Sequence, residues 1–188
     1  MKRNELRQLL QKIAAIESIL SPEWDSRYFS FNSKWGNGEE MGSMRDGSGD
    51  EWFVWFAGEL CAYKTYSHEE KAIADIESVI KATPFEYSRF INEPAFSIKY
   101  STLIGYFYKE NWVSHGSDPL HVLTPQQLFK WNSADYKNWA GEYYELEIDE
   151  KFYNLCWNDP ANYQIASQLN PELNEEGFSK DLIEIGLL

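Results

Sequence analysis

The sequence predicts an α+β fold: a central antiparallel sheet of about five strands, packed by an N-terminal helix and several short C-terminal helices. Three observations carry the prediction. Residues 27–66 alternate β-prone, aromatic runs with short spacers of Gly, Asn and Asp, the pattern of an antiparallel meander. Apolar residues at helical spacing mark segments on both sides of that block. Strands come first and helices later, without the regular alternation of a doubly wound parallel sheet.

Leu6, Leu9, Leu10, Ile13, Ile16, Ile19 and Leu20 set the first helix, with Asn4 as its N-cap and Ser21-Pro22 as its end. Strands follow over Arg27–Asn32, Glu39–Arg45, Glu51–Phe56 and Leu60–Tyr66. Gly36-Asn37-Gly38, Asp46–Asp50 and Ala57-Gly58 supply the turns between them. The run Trp52-Phe53-Val54-Trp55-Phe56 does not alternate, so this strand is expected in the middle of the sheet with both faces covered. His68-Glu69-Glu70 reads as the first turn of a charged helix, where acids favour the macrodipole, and Ile73, Ile76, Val79 and Ile80 continue the helical pattern. Thr83-Pro84-Phe85-Glu86 is a capping box opening a helix that ends near Asn92. Residues 101–108 read as a fifth strand and 109–123 as a loop. Thr124-Pro125-Gln126-Gln127 opens a helical tail over 125–131, 134–144, 150–157, 160–169 and 175–185. The helices are expected on one face of the sheet.

The chain has 188 residues, which suits a single domain, 1–188, with no repeat or linker to divide it. A chain of this size buries about 70% of the surface its unfolded form exposes, enough for a core without covalent staples. An aromatic share of 16% within a hydrophobic share of 43% excludes a disordered polymer. Cys61 and Cys156 sit in apolar surroundings and read as buried thiols of a reducing compartment. The N-terminus lacks the apolar core of a signal peptide, and the densest apolar run is only Trp52 to Ala57, so a cytoplasmic location is expected.

Thirty acidic against 17 basic residues leave a formal charge of −13. A phosphate backbone needs a basic footprint, and an anionic membrane repels such a chain, so neither nucleic acid nor membrane is an expected partner. The excess is concentrated: residues 141–188 hold eleven acids and two lysines, which points to a basic protein as the partner. Glu142, Glu145 and Glu147 are the candidate binding residues of that stretch, with Trp35, flanked by glycine on a turn, as the exposed aromatic.

Motifs for chemistry are sparse. Asp46-Gly47-Ser48-Gly49-Asp50 resembles the opening of a calcium loop, but Glu51 stands where such a loop needs Gly, and Ala57 where it needs Glu. His68, His115, His121, Cys61 and Cys156 show no metal-ligand spacing, so no metal or cofactor is expected. Ser114-His115-Gly116-Ser117-Asp118 lacks the separated elements of a triad and reads as polar loop. The one candidate catalytic group is Glu40, Arg45, Asp50 and His68, expected to converge on one sheet edge, with His68 as general base and Arg45 orienting an anionic substrate.

Glu40-Met41-Gly42-Ser43-Met44-Arg45-Asp46-Gly47-Ser48-Gly49-Asp50 resembles the signature of a family of uncharacterised bacterial proteins of about this length. Glu93-Pro94-Ala95-Phe96, Trp139-Ala140-Gly141-Glu142-Tyr143-Tyr144-Glu145, Leu169-Asn170-Pro171 and Asp181-Leu182-Ile183-Glu184-Ile185-Gly186 resemble its later landmarks, in order. The resemblance weakens after His68-Glu69, where the family pattern implies a Ser/Pro-rich loop, and over 99–123. The order of elements is also similar to the SMI1/KNR4-like (SUKH) superfamily, many of whose bacterial members are immunity proteins that neutralise toxins. That resemblance implies a non-enzymatic binding module, and a basic protein or toxin as its partner.

Overall fold

The computed structural model describes residues 2–188. Its centre is one antiparallel sheet of six strands in sequential order: β1 (Phe29–Gly36), β2 (Glu39–Arg45), β3 (Glu51–Ala57), β4 (Leu60–Tyr66), β5 (Leu103–Tyr108) and β6 (Asn111–Gly116). The expected bounds of the second and fourth strands hold. The first runs on to Gly36, with a register shift between Asn32 and Gly36. The sixth strand corrects the expected loop over 109–123. Lys109 and Glu110 both take the left-handed conformation of a tight hairpin turn, which folds Asn111–Gly116 back onto β5. Half-exposed and polar, this edge strand carries no alternation that the sequence could display.

Helices cover both faces, which corrects the expectation of one. α1 (Arg3–Leu20) lies against β1 and β2, and its other side meets the helical tail. Ile13 to Ile19 are therefore all buried, because this half of the helix is covered from two directions. The tail comprises α4 (Pro125–Leu128), α5 (Ser133–Tyr143), α6 (Glu150–Asn158), α7 (Tyr163–Leu169) and α8 (Glu175–Ile185). α2 (Ile76–Ala82) and α3 (Ser88–Asn92), with short 3-10 turns, belong to the connection from β4 to β5, and that connection covers the opposite face. Two apolar clusters result. Trp52, Val54 and Phe56 point to the α1 side, while Phe53 and Trp55 meet Tyr87, Phe90 and Phe96 on the other. The unalternating strand is thus central and doubly covered, as its sequence requires.

Three local expectations fail, the capping box at Thr83–Glu86 among them: the Thr83 hydroxyl donates to the Val79 carbonyl, and Phe85–Tyr87 is a 3-10 turn with no side-chain cap. Residues 67–75 do not form a helix: the Asp50 carboxylate takes the His68 backbone N–H, and the Ile73 N–H donates to Ser101. Helix α2 begins only after Asp75, whose side chain caps Ser78. Asn4 lies inside α1 and Lys2 occupies its N-cap.

Long-range caps fasten the layers. Gln11 donates to the Ile185 carbonyl and Ser33 to that of Glu184, so the open C-terminal end of α8 is satisfied by α1 and β1. Asn170 does the same for Ile19 at the end of α1, at 2.7 Å. Glu39 and Glu40, adjacent on β2, face opposite sides and pair with Arg89 of α3 and Arg7 of α1 respectively. One strand end thereby ties down both covering layers.

The Tyr63 ring lies flat over Gly105 of the neighbouring strand, and a Cβ at Gly105 would come within 2.3 Å of it. Gly105→Val is expected to lower stability by about 1–3 kcal/mol through overpacking, read as a shifted urea midpoint.

Candidate functional site

The expected catalytic group does not assemble. Glu40 and Arg45 are five residues apart on β2, so alternation sends them to opposite faces. Glu40 is held bidentately by Arg7. The Arg45 guanidinium lies over the rings of Trp24 and Phe53, at 5.6 and 5.5 Å from their centroids. Only Asp50 and His68 meet, with Nδ1 2.7 Å from Oδ1, and the same carboxylate oxygen accepts the His68 backbone N–H. This pair pins the 67–75 segment to the end of β3. The imidazole pKa is raised, first by that hydrogen bond; desolvation opposes it, and the charges of Asp50, Glu69 and Asp46 add to the rise.

The loop 46–50 is closed by its own chemistry. Asp46 Oδ1 accepts from the backbone N–H groups of Ser48, Gly49 and Asp50 at 2.9–3.0 Å, and Oδ2 from the Ser48 hydroxyl. Burial works to raise the Asp46 pKa, and these donors outweigh it, so the carboxyl is held below its usual range. Among the described residues no group of three or more His, Cys, Asp or Glu is arranged to hold a metal ion. Ser114 and His115 alternate on β6: the serine meets Tyr63 and Gln126, and the imidazole stacks on Tyr106. Cys61 and Cys156 are free and buried, and burial pushes the Cys156 thiol up to about 11.

Trp35 is not the exposed aromatic expected of it. It is half-buried and stacks on Phe96, with ring planes 13° apart. Trp24, 50% exposed, takes that place. Glu142, Glu145 and Glu147 are all exposed, at the end of α5 and in the loop that follows. Glu145 adopts φ 53, the left-handed position normally given to glycine at a helix end, and the Leu146 N–H returns to the Gly141 carbonyl. This turn carries Leu146 and Glu147 toward the C-terminal end of α1.

A cleft of about 520 Å³ opens there. Ile19, Leu20, Leu146, Ile148 and Leu169 give it an apolar lining, and Pro22 and Pro171 add to it. Glu23, Glu147 and Glu172 stand exposed among the lining residues, and none of them makes an ion pair among the described residues. No Lys or Arg lines the cleft. The other acids of the tail are mostly exposed as well. Asp181 is the main exception: it pairs with the buried Arg27, whose guanidinium also donates to the Ser21 and Pro22 carbonyls.

Sequence reasoning missed Glu17, which is fully buried on α1. Its carboxylate accepts from the Tyr28 and Phe29 backbone N–H groups at 3.0 and 3.2 Å and from the hydroxyls of Tyr136 and Tyr144. Burial pushes its pKa up, opposed by these four donors. A glutamate inside the run Ile16-Glu17-Ser18-Ile19 is the only trace it leaves in the sequence. No helix among the described residues is long and apolar enough to cross a membrane.

Glu17→Ala strands buried donors and is expected to cost about 2–5 kcal/mol of unfolding free energy. Because folding raises the Glu17 pKa, the native state binds the extra proton, and stability declines as pH rises from the ordinary glutamate range through the folded value. Glu17→Gln removes that titration, so its urea midpoints across the same pH series are expected to follow a flatter line. For His68 the raised pKa means that its pairing stabilises fully below the ordinary histidine value and fades as pH rises through the folded one. An NMR titration of the imidazole is expected to move down toward about 6.5 in Asp50→Asn.

No family model, no curated protein and no solved structure matches the chain.

Proposed function

We propose that this chain is a non-enzymatic, acidic protein-binding module of the cytoplasm, and that it works as an immunity protein whose partner is a basic protein such as a toxin. The observation that carries this reading is the exposure of the tail's carboxylates. Glu142, Glu145, Glu147, Glu172 and Glu175 face solvent and make no ion pair among the described residues, on a chain of formal charge −13. Such a surface accelerates encounter with a cationic partner and discriminates against acidic ones. The immunity role itself comes from the resemblance of the element order read in the sequence to the SMI1/KNR4-like superfamily. The dispersal of Glu40 and Arg45 away from Asp50 and His68 removes the constellation on which an acid–base enzyme would have rested.

Capture from lysate of the native cell is expected to recover a basic protein at about 0.05 M salt and to lose most of it at about 0.5 M. The triple variant Glu142→Lys, Glu145→Lys, Glu147→Lys is expected to weaken that complex about tenfold or more, chiefly in association rate. Capture indifferent both to salt and to this reversal would sink the proposal.

A further inference from the structure

Resting on that reading and giving it a place and a chemistry, we infer that the cleft at the C-terminal end of α1 docks a basic segment of the partner that presents an Arg or Lys beside an aliphatic side chain. Charge and apolar surface coincide here. The lining of Leu20, Leu146, Ile148 and Leu169 can bury an aliphatic group, while Glu23, Glu147 and Glu172 can meet a neighbouring cation. The end of the 18-residue α1 reinforces the preference, because the macrodipole is negative there and its last turn has no basic residue. Arg27, the nearby cation, is engaged by Asp181 and by the Ser21 and Pro22 carbonyls, and it does not line the cleft.

Two other occupants fit less well. An anionic metabolite finds no cation in the wall and three carboxylates against it. A purely polar cationic segment would leave the apolar lining uncovered, and exposed ion pairs alone discriminate weakly. A segment carrying both characters uses the whole cleft, whose volume of about 520 Å³ suits a few side chains.

The test is fluorescence anisotropy on the full chain with two labelled decapeptides, one alternating Arg and Leu, the other alternating Arg and Ser. The Arg/Leu peptide is expected to bind about tenfold tighter, and Leu146→Ser is expected to narrow that gap to about twofold. Glu147→Lys with Glu172→Lys is expected to weaken both peptides about tenfold. Glu59→Lys with Glu86→Lys, the same charge change on exposed acids away from the helical tail and outside the cleft, is expected to leave both within about twofold. All these positions are exposed, and a thermal scan of each variant verifies folding. Equal affinity for the two peptides, or equal loss from the cleft and the Glu59/Glu86 reversals, overturns the inference and leaves the binding-module proposal standing. Competition by spermidine as effective as the Arg/Leu peptide overturns it too, since spermidine carries no aliphatic side chain. Failure of either peptide to bind overturns the cleft, and only failure of the salt-dependent capture brings down the wider reading with it.

Discussion

Glu17 is where α1, the start of β1 and the end of α5 are made to agree. Its carboxylate sits on α1, takes the backbone N–H groups that open β1, and receives the hydroxyls of Tyr136 and Tyr144 on and just after α5. A buried carboxylate with missing partners is costly, so each donor must arrive for the others to be tolerated. The packing around it has the same logic. Tyr28, Phe29, Tyr136, Trp139 and Tyr143 form a contiguous aromatic cluster between β1 and α5, with ring centroids 4.7–6.4 Å apart. Dispersion supplies the bulk of the adhesion there, and the carboxylate fixes the register in which it forms.

That anchoring has a consequence for the surface. With α5 held to the sheet through Tyr136 and Tyr144, the turn after it brings Leu146 and Glu147 to the end of α1, opposite the connection from α7 to α8. Asn170 anchors that connection by capping Ile19. The cleft is bounded by three segments, 19–23, 146–148 and 169–172, and its carboxylates stand outside the helices and strands. Cations behave differently across the molecule. Arg7, Arg27, Lys64 and Arg89 are drawn into ion pairs that fasten helices, strands and loops to one another. Each such pair neutralises one charge of either sign, so the surface excess reflects the 30 acids set against 17 bases.

The meander was largely legible before any coordinates. Glu39–Arg45 and Leu60–Tyr66 are bracketed by turn residues with strong backbone preferences, so local chemistry fixes their ends. The helical tail was legible for a similar reason: Thr124, Asn132, Asp149, Asn162 and Asn174 each cap a helix with their own side chain. Less was legible at the site. The exposure of Glu142, Glu145 and Glu147 follows from their charge, but the cleft joins residues 19–23, 146–148 and 169–172, which no spacing rule connects. Trp35 was misjudged because its glycine neighbour suggests a turn, whereas Phe96, sixty-one positions later, offers it a ring to stack on.

By itself the sequence determined the α+β class, the doubly covered third strand and the acidic bias of the last quarter. These are properties of residue type and short-range order, and each is expressed within a few positions. Tertiary structure alone decided that β6 exists, that helices lie on both faces, and that Glu40 and Arg45 part company with Asp50 and His68. Two of those outcomes turn on partners far away along the chain, Arg7 for Glu40 and the aromatic floor of Phe53 and Trp55 for the β4–β5 connection, while β6 turns on a tight hairpin whose left-handed residues, Lys109 and Glu110, are not glycine. Pair energies of this kind depend on where the backbone brings two groups, and a linear string of residues does not contain that distance.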